Sequence, residues 1–100
     1  MKLFFSHPLT TYNTPIEDKC LVLLRDTYPT YHIINPKYIQ ITKPMNNPVE
    51  FKEMIEDFIL PIVRECNIIA YYKDDSYAPG VDMEIAEAQK LNIPVIKLEV

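Results

Sequence analysis

Hydrophobic and polar positions follow two rhythms along this chain. Short apolar runs recur at Lys2–Ser6 (KLFFS), Tyr31–Asn35 (YHIIN), Asn67–Tyr72 (NIIAYY) and Pro94–Leu98 (PVIKL). Runs of this length, bounded by proline, asparagine and histidine, read as buried strands. Between them apolar residues return every three or four positions, the spacing that lines one face of an α-helix. The first such set is Ile16, Cys20, Leu23 and Leu24; the second is Phe51, Met54, Ile55, Phe58 and Ile59; the third is Val81, Ile85, Ala88 and Leu91.

Local signals mark where the helices begin and end. Thr14, Pro15 and Glu17 form a capping box with proline at the first helical position, and this helix is expected to run to about Asp26. Asn47, Pro48 and Glu50 repeat that grammar for the second helix. Pro61 should kink or divide it, because an interior proline removes one hydrogen bond and clashes one turn back. The third helix is expected over Val81–Leu91, with Asn92 ending it.

Strand and helix alternate throughout, and no tight hairpin signal interrupts them. The pattern predicts an α/β protein with a parallel sheet between helices. Right-handed crossovers suggest a three-layer, flavodoxin-like fold, with four parallel strands in the order 2-1-3-4 and helices on both faces. Residues 1–100 form one domain, with no repeat, linker or low-complexity tract.

Composition narrows the functional classes. The net charge is −4 and no Lys/Arg run occurs, which argues against binding a nucleic-acid polymer through its phosphates. The apolar stretches fall far short of the ~20 residues needed to cross a bilayer, so no membrane partner is expected. Cys20 and Cys66 sit among apolar residues outside any CxxC pair, which predicts buried free thiols and a cytoplasmic setting. Two separated histidines without a Cys/His cluster suggest no metal site, and no cofactor is expected.

In sheets of this type ligands bind beyond the carboxyl ends of the strands, where strand order reverses. With order 2-1-3-4 the reversal lies between the first and third strands. The turn Ser6–Tyr12 and the loop Lys73–Gly80 meet there, beside the start of the third helix. On a helical wheel centred on Val81, the residues Ile85, Ala88 and Leu91 fall within roughly 80°. Glu84 lands inside that stripe, pointing toward the sheet near the crevice. Helix N-terminal amides favour its ionised form and burial favours the neutral one, an environment suited to nucleophilic attack or proton transfer. The alternative from the wheel alone is an acidic residue that complements the helix dipole.

Gly80 is the only glycine in the chain. It admits two readings: a positive-φ position that lets a ligand approach the backbone, or an ordinary cap or turn residue. No dinucleotide fingerprint or P-loop is present. Ser6 and His7 are neighbours on a strand and point to opposite faces, which argues against a Ser/His hydrolase.

Four segments, KLFFSHP, HIINP, ECNIIAYY and GVDMEIAEAQKLNIPVI, together resemble the nucleoside 2-deoxyribosyltransferase-like family over nearly the whole chain. Gly80, Glu84 and Ala88 carry the most specific part of that likeness. The resemblance implies cleavage or transfer of the N-glycosidic bond of a nucleoside or nucleoside monophosphate. Glu84 would be the nucleophile at the anomeric carbon. Ser6, His7, Pro8, Tyr12, Asn67, Asp74, Tyr77, Gly80 and Asp82 would surround sugar, base or phosphate. Some members complete the pocket with a neighbouring subunit, so the resemblance also admits a homodimer.

The chain departs from the family at three places. Phe4 stands where a tyrosine is common, His7 where a glycine is common, and Asn67 where an aspartate is usual. These departures fit an alternative, a non-catalytic nucleotide-binding module on the same scaffold.

Overall fold

The computed structural model describes residues 1–100. Strands β1 (Lys2–Ser6), β2 (His32–Ile34), β3 (Ile68–Tyr71) and β4 (Val95–Lys97) form one sheet in the order β2-β1-β3-β4. All three pairings are parallel, with Leu3 opposite both Ile33 and Ile68 and Ile69 opposite Val95. The helices are α1 (Pro15–Thr27), α2 (Pro48–Met54), α3 (Leu60–Val63) and α4 (Pro79–Lys90). This is the three-layer α/β arrangement expected from the alternation of elements. No helix is long and apolar enough to cross a membrane.

Alternation along the strands divides the core into two. Leu3, Phe5 and Ala70 point to one face and pack with Cys20 and Leu24 of α1. Phe4 and Ile69 point to the other, against Met54, Ile55, Ile59 and Val63, with Ala88 of α4. Both cysteines are free and buried, one in each core. Burial pushes each thiol up to about 11, which keeps both protonated.

Half of each capping box forms. The N-cap side chain accepts as expected, but neither glutamate reaches back to the N-cap N–H: Glu17 accepts instead from the Asn13 N–H and Glu50 from the Asn47 side-chain amide. Thr14 Oγ1 accepts the Glu17 N–H at 3.4 Å, and Asn47 Oδ1 accepts the Glu50 N–H at 2.9 Å. Pro61 divides the expected second helix, as an interior proline should, into α2 and α3, while the helical path itself continues. A π-helical stretch, Ile55–Ile59, joins α2 to α3, and the Leu60 N–H bonds to the Ile55 carbonyl. The wider turn lies immediately before the proline, where an α-helical ring would meet its clash and its missing donor. The apolar faces shift too: Leu23 and Leu91 are exposed, whereas Glu17 and Glu87 are buried.

Helix α4 starts two residues earlier than its apolar spacing predicts, with Pro79 in the first helical position. Gly80 therefore lies inside the helix, and its φ is not positive. What it supplies is space. A Cβ there would sit 3.3 Å from Phe51 Cζ and 3.5 Å from Ile55 Cδ1, so the missing side chain lets α4 close against α2 and the π-helical stretch.

Candidate functional site

A cavity of about 420 Å³ opens at the carboxyl end of the sheet, beside the reversal between β1 and β3. Four segments wall it: the turn after β1, the loop after β2, the inner face of α2 with its π-helical extension, and the start of α4. Most of its lining is apolar, and Glu84 is the only carboxylate facing it. The size and the sparse polar groups match those of small-molecule sites.

Glu84 lies at the centre of the buried arc of α4, between Val81 and Ala88 on one side and Glu87 on the other, and is 5% exposed. It is the sixth residue of the helix, past the free amides of the first turn. Its hydrogen-bond partner is Ser6, whose hydroxyl donates to Oε1 at 2.5 Å. Burial pushes the carboxyl up to about 8, and the Ser6 bond offsets only part of that rise. The balance expected between helix amides and burial is thus decided by burial, because no amide reaches the carboxyl. The resting group is largely protonated at neutral pH.

Strand alternation sends Ser6 and His7 to different partners. Ser6 follows Phe4 to the α4 face, while His7 follows Phe5 to the α1 face and stacks on its ring at 3.9 Å. His7 Nε2 donates to Glu17 Oε2 at 2.8 Å, and Nδ1 lies 3.2 Å from the Phe5 carbonyl. The shorter contact, to the carboxylate, assigns the ring proton to Nε2. Burial lowers the His7 pKa against the opposing pull of Glu17, so the ring is neutral. Burial would likewise raise Glu17, yet hydrogen bonds from Lys37, His7 and the Asn13 amide outweigh it and hold the carboxyl down at about 2. Lys37 Nζ bonds to Glu17 and, at 3.1 Å, to Asn13 Oδ1.

Of the residues singled out in the sequence, Ser6 meets Glu84, and His7, Pro8, Tyr12, Tyr77 and Gly80 line the cavity. Tyr77 stands at its mouth, 90% exposed. Burial, then the negative charges of Glu84 and Glu17, raise the Tyr12 pKa, so its phenol stays a hydrogen-bond donor.

Asn67, Asp74 and Asp82 do not join them. Asn67 precedes β3 at the amino end of the sheet, where its Oδ1 accepts the Lys2 N–H at 2.8 Å. Asp74 closes its own turn by accepting the Ser76 N–H at 2.9 Å. Asp82 faces outward to Lys73 Nζ at 2.7 Å. In each case a nearer partner or the wrong end of the strand removes the side chain from the cavity.

The sequence reading missed Glu17, Lys37 and the wall formed by Pro36, Ile39, Ile41 and Met45. The wheel used for α4 would have found Glu17, because it lies with Cys20 and Leu24 on the inner stripe of α1. The loop wall has no such signal, since it belongs to no periodic element. No family model matches the chain, and no curated protein or solved structure matches it either.

Proposed function

We propose that the chain cleaves or transfers the N-glycosidic bond of a nucleoside, with Glu84 as nucleophile. The observation that carries this reading is the Glu84 carboxyl itself, buried in the wall of a sheet-end cavity and held by the hydroxyl of a different element. A carboxylate oxygen of Glu84 would attack the anomeric carbon as the carbon–nitrogen bond breaks, the base leaving with the bonding electrons and taking up a proton. Water or a second base would then displace the sugar from Glu84 and restore the carboxylate. This is the two-step logic of retaining glycoside chemistry. Ser6 orients the carboxyl, and the protonated Tyr12 phenol offers a donor to a sugar hydroxyl or ring nitrogen. The family resemblance of the Gly80–Ala88 segment supports the same assignment.

The wall also bears on phosphorylation. Lys37 is the only Lys or Arg lining the cavity, and Glu17 already neutralises it. No free cation is left for a phosphate, so the reading favours the nucleoside over its monophosphate.

A second reading is a non-catalytic nucleoside- or nucleotide-binding module. One observation favours it: the resting carboxyl of Glu84 is protonated at neutral pH and is then a donor rather than a nucleophile. Incubation with deoxyribonucleosides and their monophosphates, followed by chromatography for free base, separates the two. The enzyme reading expects free base from the wild type and a loss of at least about a hundredfold in Glu84→Gln, the scale of losing a catalytic group. Saturable binding without any release would support the module. Equal release by the variant would remove Glu84 from the chemistry.

A further inference from the structure

We propose that a second cavity, on the open edge of the sheet, binds a small oxyanion, a phosphate or carboxylate group carried on a compact apolar body. This cavity measures about 270 Å³ and shares no lining residue with the Glu84 cavity. Its polar walls are Arg25 near the end of α1, Tyr31 and His32 at the start of β2, and Asn35 and Tyr38 just beyond it. None of its lining residues is acidic.

Three features make it a site for acceptors. Arg25 has no acidic side chain within ion-pair distance, so its fork of N–H donors is uncommitted. Asn35 is 7% exposed, and its orientation is settled because Oδ1 accepts the Lys37 N–H at 3.2 Å. That leaves Nδ2, a buried donor without a partner. A buried orphan donor is costly to leave unpaired, and an acceptor seated beside it would relieve that cost.

The third feature is the edge itself. The His32 N–H bonds to the Met1 carbonyl, so alternation along a parallel strand turns the Ile33 N–H away from β1. No strand lies on that side of β2. The Ile33 carbonyl faces that edge beside its N–H, so the edge is neutral in itself. The Arg25 guanidinium, the phenols and Asn35 Nδ2 tip the cavity toward an oxyanion, with Leu21 and Ile33 as its apolar wall.

The test is a titration of the whole isotope-labelled chain, read by backbone amide shifts, with inorganic phosphate in one arm and benzoate in the other. Saturable shifts at Arg25, Ile33 and Asn35 are expected in at least one arm, and which arm saturates identifies the group. Arg25→Gln should weaken binding about tenfold or more, as loss of a charge-assisted hydrogen bond does. Asn35→Asp keeps the Oδ acceptor for Lys37 but replaces the donor with a charge, and should weaken it at least as much. Lys19→Gln, on the same helix but outside the cavity, should leave affinity unchanged. Shifts that fail to saturate in both arms overturn the proposal. So does an unaltered affinity in Arg25→Gln, or an equal loss in Lys19→Gln, which would mean general attraction to positive charge. The spectra also report that each variant remains folded.

Discussion

Glu84 shows how one side chain couples stability to chemistry. Its carboxyl titrates ordinarily at 4.5 and is pushed up to about 8 by burial. A raised carboxyl pKa means that the folded chain holds a proton which the unfolded chain has released. Its stabilising share is therefore complete below 4.5 and is lost as pH rises through about 8. On the alkaline side the ionised carboxylate costs on the order of a few kcal/mol of stability. Glu84→Gln cannot ionise, so its denaturation midpoint should exceed that of the wild type above pH 8 and fall less steeply with rising pH. If Glu84 is the nucleophile, base release by the wild type should climb over the same window, because only the anion attacks. A wild type whose stability is flat across that window would show that the carboxyl is not held neutral.

At the scale of elements, a chain with one glycine must end its helices by other means. Asn92 takes φ 58° just past α4. The Ile93 N–H reaches the Ala88 carbonyl at 2.8 Å and the Asn92 N–H reaches Gln89 at 3.2 Å, the paired bonds of a Schellman end. Asparagine tolerates that left-handed conformation better than other residues bearing a Cβ. Asn92→Ala should cost roughly 1 kcal/mol in urea denaturation, whereas Asn92→Gly should be neutral or stabilising. Gly80 does the reverse of what a lone glycine suggests. It sits in ordinary helical backbone and makes room for Phe51, so its role follows from a neighbour 29 residues earlier in the chain rather than from its own torsion angles. The π-helical turn before Pro61 belongs to the same scale, and it places Ile55 and Ile59 in the cavity wall.

For the whole molecule, Glu17 is the joint between separate parts of the site. From α1 it binds His7, which follows β1, and Lys37, which follows β2, so one buried carboxylate ties together two loops that both line the cavity. Replacing the carboxylate by an amide leaves one acceptor oxygen where His7 and Lys37 used two, and leaves the buried Lys37 contact without a counter-charge. Glu17→Gln should therefore destabilise the chain by roughly 3 kcal/mol. Lys37→Gln should cost less, because that lysine retains some contact with solvent. Equal midpoints for Glu17→Gln and the wild type in thermal denaturation would show that the joint contributes no stability. The carboxyl itself is held at about 2, so its share of stability is present above 4.5 and disappears as pH falls toward 2.

Sequence alone determined whatever depends on neighbours along the chain. Apolar runs specified four strands, three- and four-residue spacing specified the helical faces, and Thr14, Asn47 and Asn92 marked boundaries through local hydrogen bonds. The wheel also turned Glu84 inward, because a helix's geometry is the same wherever it packs. Tertiary structure decided what required elements to meet. Only packing shows that Ser6 reaches Glu84 across 78 residues, that Glu17 joins His7 and Lys37, and that Asn67 lies at the far end of its strand. Burial arises only when those elements close together, and it outweighs the Ser6 hydrogen bond in setting the protonation of Glu84.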